Sequence, residues 1–264
     1  MAIHPTAVID PSARLGDVEI GAYVVIGPEV ELADGVRVDS HAVVTGPTRI
    51  GERTHIYSFA SVGGDPQDLK YAGERSELII GSGNQIREYV TINRGTRGGG
   101  GVTRVGDDNL FMASAHVAHD CTVGSGCVFA NSVAIAGHVS VGDRVVLGGL
   151  SGVHQHGRIG RCAMVGAGAM AALDVPPFTI AQGDRARLYG LNIIGLRRAE
   201  FDSALIDQLR QAYRDLFGSG APLRISAEHV RDTYGTVPEV VEMAEFVLGS
   251  VRGVCRSAGY DLAD

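Results

Sequence analysis

The sequence contains no tryptophan, and aromatic residues make up only 6% of its 264 residues. A globular core packed from large aromatic side chains is therefore excluded, although 45% of the residues are hydrophobic. Basic residues are also few: 23 Lys and Arg stand against 30 Asp and Glu, which gives a net charge of -7. This balance argues against a general nucleic-acid binder, because phosphate contacts need a surplus of cations. The 37 glycines indicate a repeated backbone structure.

Long hydrophobic runs are absent as well. The N-terminal segment MAIHPTAVIDPSARLG has no basic start followed by an apolar block, so no signal peptide is predicted. The most apolar stretch, residues 163–173, is too short and too rich in glycine to span a bilayer. The four cysteines form neither a CxxC pair nor a secreted-type disulfide framework. We therefore expect a cytoplasmic protein without stable membrane insertion.

Apolar residues recur at every sixth position over long stretches of the chain. The longest unbroken series comprises Val105, Phe111, Val117, Val123, Phe129, Ile135, Val141, Leu147, Val153, Ile159 and Val165. The same register runs from Ile3 to Val62, with one shorter step before Ile20. Hexapeptide repeats of this kind build a parallel β-helix, in which three short strands form one coil of about eighteen residues. The sequence thus predicts a mainly β fold, with glycine, asparagine and aspartate at its tight corners.

Two segments interrupt the repeat. They are residues 63–79 and 97–104. Because a solenoid accommodates insertions as loops on its outside, we expect both segments to be external loops and candidate functional elements. The hexapeptide pattern ends near Ala171, and we expect the β-helix to occupy residues 1–189.

The C-terminal part of the chain has a different pattern. Apolar residues at helical spacing predict a helix over 201–217 that starts after Asp202, and two further helices over 226–234 and 238–256. We therefore expect a small helical domain over residues 190–264.

Stacked coils bring polar residues together that are distant in sequence, because residues about eighteen apart lie one rung apart on the same face. The polar residues gathered on one edge in this way are His116, His119, Asp120, His138, Gln155 and His156. Two kinds of chemistry fit such a group. It is either a metal site or an acid–base site, in which a neutral imidazole takes a proton from an alcohol. The spacing does not choose between them.

Five segments are more specific than the repeat itself. They read PQDLKYAGE at 66–74, TINRGT at 91–96, HVAHDCTVG at 116–124, AGHVSVGD at 136–143 and DVPPFTIAQGD at 174–184. Together they resemble the bacterial UDP-N-acetylglucosamine acyltransferases, and the resemblance covers essentially the whole chain. It implies a left-handed parallel β-helix with a small C-terminal α-helical domain. It also implies a homotrimer with active sites in the clefts between neighbouring prisms.

The resemblance implies a reaction as well. An (R)-3-hydroxyacyl group would pass from the thioester of acyl carrier protein to the 3-hydroxyl of UDP-N-acetylglucosamine, the first step of lipid A synthesis. No cofactor, no metal and no covalent intermediate is implied. His119 would be the general base, Asp120 would orient its imidazole, and the Gly137 backbone N–H would stabilise the oxyanion.

Further positions are assigned to the substrates by the same resemblance. Those implied in binding the sugar nucleotide are Gln67, Asp68, Lys70, His116, His138, His154, Gln155, Asn192 and Arg198. Ala167 occupies the position that limits the length of the acyl chain, so a larger side chain there should favour shorter chains. The candidate cations for docking the acidic carrier protein are Arg197, Arg198, Arg210 and Arg214.

Three positions depart from the commoner family pattern. Asn93 stands where many members have histidine, Ile194 where glutamate is common, and Ala199 where a second basic residue is frequent. All three bear on the choice of substrate, including whether the acceptor presents a 3-hydroxyl or a 3-amino group.

Three other functions remain open at this point. The related N-acyltransferase of the same pathway normally has a separate N-terminal uridine-binding domain, whereas the repeats here begin at Ile3. A metal-dependent hydratase of the carbonic anhydrase kind would use His116, His119 and His138 across a trimer interface. A non-enzymatic scaffold would use the polar edge only for trimerisation.

Overall fold

The computed structural model describes residues 1–259, most of which form a three-sided prism of short strands. The first sheet contains Ala2–Ile3 (β1), Glu19–Ile20 (β4), Arg37–Val38 (β7), His55–Ile56 (β10), Gln85–Ile86 (β13), Leu110–Phe111 (β16), Val128–Phe129 (β19), Val146–Leu147 (β22), Met164–Val165 (β25), Thr179–Gln182 (β27) and Arg187–Leu191 (β28). The second sheet contains Val8–Ile9 (β2), Val25–Ile26 (β5), Val43–Val44 (β8), Ser61–Gly64 (β11), Thr91–Asn93 (β14), His116–Val117 (β17), Ala134–Ile135 (β20), Gly152–Val153 (β23) and Met170–Ala171 (β26). The third sheet contains Arg14–Leu15 (β3), Val30–Leu32 (β6), Thr48–Ile50 (β9), Glu77–Ile80 (β12), Val102–Val105 (β15), Thr122–Val123 (β18), Ser140–Val141 (β21) and Arg158–Ile159 (β24).

Strands of successive coils pair in parallel, so that residues one coil apart lie directly above each other. In the second sheet, for example, His116 pairs with Ala134, and Ala134 pairs with Gly152. At the C-terminal end of the first sheet, β27 and β28 instead form an antiparallel pair. The predicted parallel β-helix is therefore confirmed.

The residues of the six-residue period point into the prism. Ile56, Phe111 and Ile135 are completely buried. Removing such a side chain from water contributes about 1.5–3 kcal/mol. Phe111 and Phe129 lie in adjacent coils with their ring centroids 4.8 Å apart, so aromatic contact is used sparingly inside an otherwise aliphatic column.

The corners of the prism are only partly as predicted. Besides glycines, larger residues such as Tyr23, Phe59, Leu150, His138 and His156 adopt a positive φ there. A positive φ costs a residue with a Cβ about 1–2 kcal/mol. Backbone hydrogen bonds between coils offset this cost. The N–H of His138, for instance, donates to the carbonyl of His119 in the preceding coil at a distance of 3.0 Å.

Both external loops exist, but their bounds differ from the expected ones. The first loop comprises residues 65–76, because β11 continues to Gly64 and β12 already begins at Glu77. The second loop comprises residues 94–101 and includes a 3-10 turn over Arg97–Gly99. Residues 102–104, expected in this loop, belong to β15 because they pair with β12.

Up to residue 259, four helices follow the prism: Ile193–Arg198 (α1), Ser203–Phe217 (α2), Leu223–Thr233 (α3) and Pro238–Leu248 (α4). The expected helix after Asp202 is confirmed as α2, and the Asp202 carboxylate caps it by accepting a hydrogen bond from the Leu205 N–H at 2.8 Å. α1 was not predicted, and α3 begins earlier than expected. No helix in the described part of the chain is long and apolar enough to cross a membrane.

The prediction that the last helix extends to residue 256 is wrong. α4 ends before Gly249, and the following segment returns to the prism, where Cys255 N–H donates to the Asp174 carbonyl at 2.8 Å. The last strand of the prism ends at Leu191, just before α1. Residues 260–264 of the expected helical domain lie outside the described residues.

Candidate active site

A cavity of about 770 Å³ runs along the second sheet and is bordered by the first loop. The expected site residues that line it are Gln67, Asp68, Lys70, His116, His119, Gly137, His154 and Gln155. The coils present them because β17, β20 and β23 lie side by side in register. Apolar residues including Ile135, Val153 and Met170 line the same cavity. One cavity therefore contains polar groups beside a surface that accepts a hydrocarbon chain.

His119 and Asp120 form a hydrogen-bonded pair at the edge of this cavity. The His119 Nδ1 lies 2.7 Å from the Asp120 Oδ2, and the carboxylate is fully buried. An ionised carboxylate accepts the Nδ1–H, which leaves the lone pair on Nε2. Within residues 1–259 no hydrogen bond to this Nε2 is present. The arrangement is that of a general base.

The second loop fixes the position of Asp120. The Thr96 N–H donates to Oδ1 at 2.8 Å, and the Thr96 hydroxyl donates to Oδ2 at 2.7 Å. The Asp120 N–H in turn donates to the Thr103 hydroxyl at 2.8 Å. Sequence reasoning missed both threonines, although Thr96 belongs to the TINRGT segment. These bonds keep the Asp120 carboxylate directed at the imidazole.

Gly137 lies directly against the His119 ring. A Cβ built on Gly137 would be 2.5 Å from Cε1 and 2.7 Å from Nε2 of that ring, which is too close for any real contact. Among residues 1–259, no acceptor is hydrogen bonded to the Gly137 N–H. The glycine therefore leaves space for the imidazole and offers a free backbone donor next to it.

His138 and His156 continue the polar column above His119, as predicted from the coil period. The His119 and His138 rings meet edge to face with centroids 5.1 Å apart, and His138 stacks on His156 at 4.4 Å. Burial lowers the pKa of His138, and the nearby His156 and His119 lower it further, against the opposing charges of Asp120 and Asp68. His138 is therefore mainly neutral at neutral pH.

His116 lies in β17 on the cavity side. Its Nδ1 lies 2.7 Å from the Thr91 hydroxyl of the preceding coil. Burial, and secondarily the nearby His119, lower the pKa of His116 from its usual 6.5. A neutral His116 donates or accepts a hydrogen bond without adding charge to the site.

Three further polar residues line the cavity from two elements. Lys70 and Asp68 belong to the first loop, where the Lys70 N–H donates to the Asp68 carboxylate at 3.0 Å. His154 lies at the other side, with its Nδ1 2.7 Å from a guanidinium nitrogen of Arg252. Arg252 belongs to the segment after α4, and no motif in the sequence identified it.

Besides Asp120 and His138, which adjoin His119, three of the expected residues do not line the cavity of a single chain: Asn192, Arg198 and Ala167. Asn192 is buried and caps α1: its Oδ1 accepts from the Gly195 N–H at 3.1 Å, and its Nδ2 donates to the Cys162 carbonyl at 3.0 Å. Arg198 is exposed at the end of α1. Ala167 is exposed at a corner between the first and second sheets.

The described residues bring one trio close enough to hold a metal ion: His119, Asp120 and His138, with ligand atoms within 4.8 Å of one another. This is not the trio of histidines considered from the sequence. In this trio, the His119 Nδ1–H and both Thr96 donors already use the Asp120 oxygens. The donor set is thus arranged for proton transfer, with Asp120 bound to N–H and O–H groups.

Coils of hexapeptides around a histidine–carboxylate pair define a hexapeptide-repeat transferase. Consistently, residues 103–137 match the model of the bacterial transferase hexapeptide, and residues 174–255 match that of domain 2 of UDP-N-acetylglucosamine O-acyltransferase.

Relatives with this name match almost the whole chain. The acyl-[acyl-carrier-protein]–UDP-N-acetylglucosamine O-acyltransferase of Stenotrophomonas maltophilia is 47% identical over 256 residues, which cover 96% of this chain and 97% of the relative. The enzyme of that name from Aliarcobacter butzleri is 49% identical over 253 residues, with the same coverage of both chains. The chain belongs to the UDP-N-acetylglucosamine O-acyltransferase family.

Solved structures agree with this assignment. The UDP-N-acetylglucosamine acyltransferase from Campylobacter jejuni superimposes with a TM-score of 0.92 at 38% identity, covering 96% of this chain and 99% of its own. The UDP-N-acetylglucosamine O-acyltransferase from Moraxella catarrhalis gives 0.95 at 41% identity, with 97% and 100% coverage. The predicted left-handed β-helix with C-terminal helices is thereby confirmed.

Proposed function

We propose that this protein transfers an (R)-3-hydroxyacyl group from acyl carrier protein to the 3-hydroxyl of UDP-N-acetylglucosamine, the first step of lipid A synthesis. The observation that supports this most directly is the His119–Asp120 pair beside the free Gly137 N–H at one cavity. The names of the relatives at 47% and 49% identity supply the donor and the acceptor.

His119 acts as the base in this proposal. Its Nε2 removes the proton from the sugar 3-hydroxyl while the oxygen attacks the thioester carbonyl. Asp120, hydrogen bonded to Nδ1 at 2.7 Å, fixes the tautomer and stabilises the imidazolium that forms. The C–S bond then breaks, and His119 returns its proton to the leaving thiolate of the carrier protein.

The negative charge of the tetrahedral intermediate needs a hydrogen-bond donor close to the base. The Gly137 N–H meets this need because Gly137 packs against the His119 ring and its N–H donates to no group in residues 1–259. One preorganised donor of this kind contributes about 3 kcal/mol to stabilising the transition state.

The sugar nucleotide lies between the first loop and the coils. Lys70 and the polar groups of Gln67 and Asp68 contact it from the loop, while His116 contacts it from β17 and His138 from the neighbouring corner of the prism. Lowered pKa values keep these two imidazoles neutral, so they form hydrogen bonds without repelling the charge of Lys70.

Three copies of the chain complete the site. Val8, Val25 and Met170 point outward from the second sheet and are 63%, 39% and 44% exposed, which is typical of a surface covered by another subunit. A homotrimer also explains why Arg198 does not reach its own cavity: it approaches that of a neighbour, while the buried Asn192 caps α1, the helix that carries Arg198. The exposed Arg197 and Arg198 receive the acidic carrier protein, and the reaction takes place in the cytoplasm.

Mass spectrometry of the products tests the proposal. Purified protein is incubated with UDP-N-acetylglucosamine, or with its 3-amino analogue, and a series of 3-hydroxyacyl carrier-protein thioesters. We expect O-acylated UDP-N-acetylglucosamine, and His119→Ala should lower kcat at least about 100-fold because the general base is lost. Full activity of His119→Ala, or acylation of the amino analogue alone, would contradict it.

A further inference from the structure

Arg94 is a buried cation beneath the first loop, with only 7% of its surface exposed. It directly follows β14. Its Nη1 donates to the carbonyls of Gly46 at 2.9 Å and Gly63 at 2.6 Å. Its Nη2 donates to the Asp65 carboxylate and, at 3.3 Å, to the Tyr71 hydroxyl. One guanidinium thus binds the coil below, the start of the first loop and its middle.

The backbone around Arg94 adds to this attachment. The Arg94 N–H donates to the Gly64 carbonyl at 3.0 Å, and the Asn93 side-chain amide donates to the Asp65 carbonyl at 2.9 Å. Asn93 is one of the positions that depart from the family pattern. Asn93 and Arg94 therefore both bind the point at which the first loop leaves the prism.

The stretch of the first loop between Asp65 and Tyr71 contains the residues that face the cavity: Gln67, Asp68 and Lys70. Its large apolar side chain, Leu69, is fully exposed and provides no hydrophobic anchor. Within this stretch only Pro66 is buried, so polar contacts at its two ends contribute the rest of its attachment to the prism. Arg94 provides both, because a planar guanidinium has five donors in a fixed geometry, which neither lysine nor glutamine reproduces.

We propose that Arg94 is a positioning residue for the sugar nucleotide: by binding Asp65 and Tyr71 it holds Gln67, Asp68 and Lys70 against the cavity. This inference rests on the proposed function for the identity of the ligand. Arg94 itself does not line the cavity, so its effect on the substrate passes through the first loop.

The sequence offers a probe of the loop that needs no substrate. Lys70 is the only lysine of the chain, so a lysine-specific protease has a single cleavage site, between Lys70 and Tyr71. The rate of cleavage in the native protein measures how often this bond becomes accessible. The thermal unfolding midpoint, recorded in parallel, separates local motion of the loop from global unfolding.

Arg94→Gln is the principal variant, since it removes the guanidinium without introducing a second lysine that the protease would cleave. We expect cleavage at Lys70 to become faster and the KM for UDP-N-acetylglucosamine to rise about tenfold, as for the loss of one charge-assisted hydrogen bond. Because His119 and Asp120 are untouched, kcat and its pH profile should stay within about twofold. Tyr71→Phe, a milder change at the surface, should raise both the cleavage rate and KM about threefold.

Arg75→Gln is the matched control. Arg75 belongs to the same loop, but its guanidinium pairs with Glu29 and Glu77 at the surface, so neither the cleavage rate nor KM should change.

Unchanged cleavage in both Arg94→Gln and Tyr71→Phe would overturn the proposed anchor. Faster cleavage without a change in KM would overturn the link to nucleotide binding. A roughly tenfold fall of kcat with an unaltered KM would also overturn the link to nucleotide binding, because that pattern indicates a structural effect on catalysis. A wild-type protein without transferase activity would contradict the proposed function instead, and the protease experiment would still test the anchor.

Discussion

At the scale of single residues, Gly137 leaves space for the imidazole of His119 because it has no side chain. The resemblance implied a role for the backbone N–H of Gly137. The structure adds a steric requirement, because a Cβ at this position would overlap the imidazole at 2.5 Å. Sequence spacing placed the two residues one coil apart but could not show that their atoms are in contact.

Substituting Gly137 tests this requirement. Gly137→Ala should displace the His119 ring from the cavity and lower kcat at least about 100-fold, close to the effect of removing the base. Gly149→Ala is the matched control, since its added methyl group meets only the Asn131 carbonyl at an ordinary 3.4 Å. Steady-state kinetics and the unfolding midpoint of both variants provide the measurement. An active Gly137→Ala enzyme would show that the ring does not need this space.

At the scale of elements, the second loop holds the carboxylate of Asp120, the proposed partner of the base. The 3-10 turn over Arg97–Gly99 follows Thr96, whose N–H and hydroxyl both donate to the carboxylate. Gly99 packs against the same group, and a Cβ there would be 2.0 Å from the Asp120 Cγ. A loop that the sequence identified only as an interruption therefore encloses the carboxylate that is hydrogen bonded to His119.

Gly99→Ala should accordingly disturb the His119–Asp120 pair from outside the cavity. We expect kcat to fall about tenfold with little change in the KM for the sugar nucleotide, because the methyl group displaces a carboxylate that the substrate does not contact. The neighbouring Gly98→Ala serves as control, since its Cβ comes no nearer than 4.0 Å to the Thr96 hydroxyl. Equal kcat values for the two variants would rule out this role of the turn.

The strands and helices also show which parts of the fold can be predicted from the sequence. The six-residue period predicted the strands because each inward residue, such as Phe111 or Ile135, is buried by the same local geometry. The end of α4 was missed, because apolar residues continue at helical spacing beyond Gly249 while tertiary contacts to Asp174 bind that segment to the prism. The contacts of Thr96, Arg94 and Arg252 were missed for the same reason: each is a tertiary contact between segments distant in sequence.

At the scale of the whole molecule, the neutral histidines of the cavity couple stability to pH. Burial lowers the pKa of His116 and His138 below 6.5, so the unfolded chain binds more protons than the folded one once the pH falls below that value. Their contribution to stability is complete above about pH 6.5 and is lost as the pH falls through the lowered pKa values.

We therefore expect the free energy of unfolding to decrease between about pH 6.5 and pH 5, above the range in which most carboxylates titrate. Urea unfolding at a fixed protein concentration across this range measures the slope. In the double variant His116→Asn and His138→Asn the slope should be reduced. A slope that stays the same in the double variant would assign the pH dependence to other groups.

The length of the acyl chain that the protein accepts depends, in the proposed trimer, on contacts between neighbouring subunits. Ala167 is exposed in a single chain and does not line the cavity, whereas Met170 in the adjacent strand does. Ala167 can limit an acyl chain only where a neighbouring subunit covers this corner. In the proposed trimer, Ala167→Met should then shift the preference toward shorter 3-hydroxyacyl donors, because the longer side chain would fill the end of the cleft between subunits.

Ala22→Met is the control for this substitution, since Ala22 precedes the positive-φ corner residue of its own coil, as Ala167 does near the other end of the prism. It should leave the donor profile unchanged. Competition between carrier-protein thioesters of different length, read as product ratios, gives the comparison independently of the total activity of each variant. If the two variants have the same profile as the wild type, the acyl chain does not end at this corner. Met170, which lines the cavity within one chain, is then the residue to substitute next.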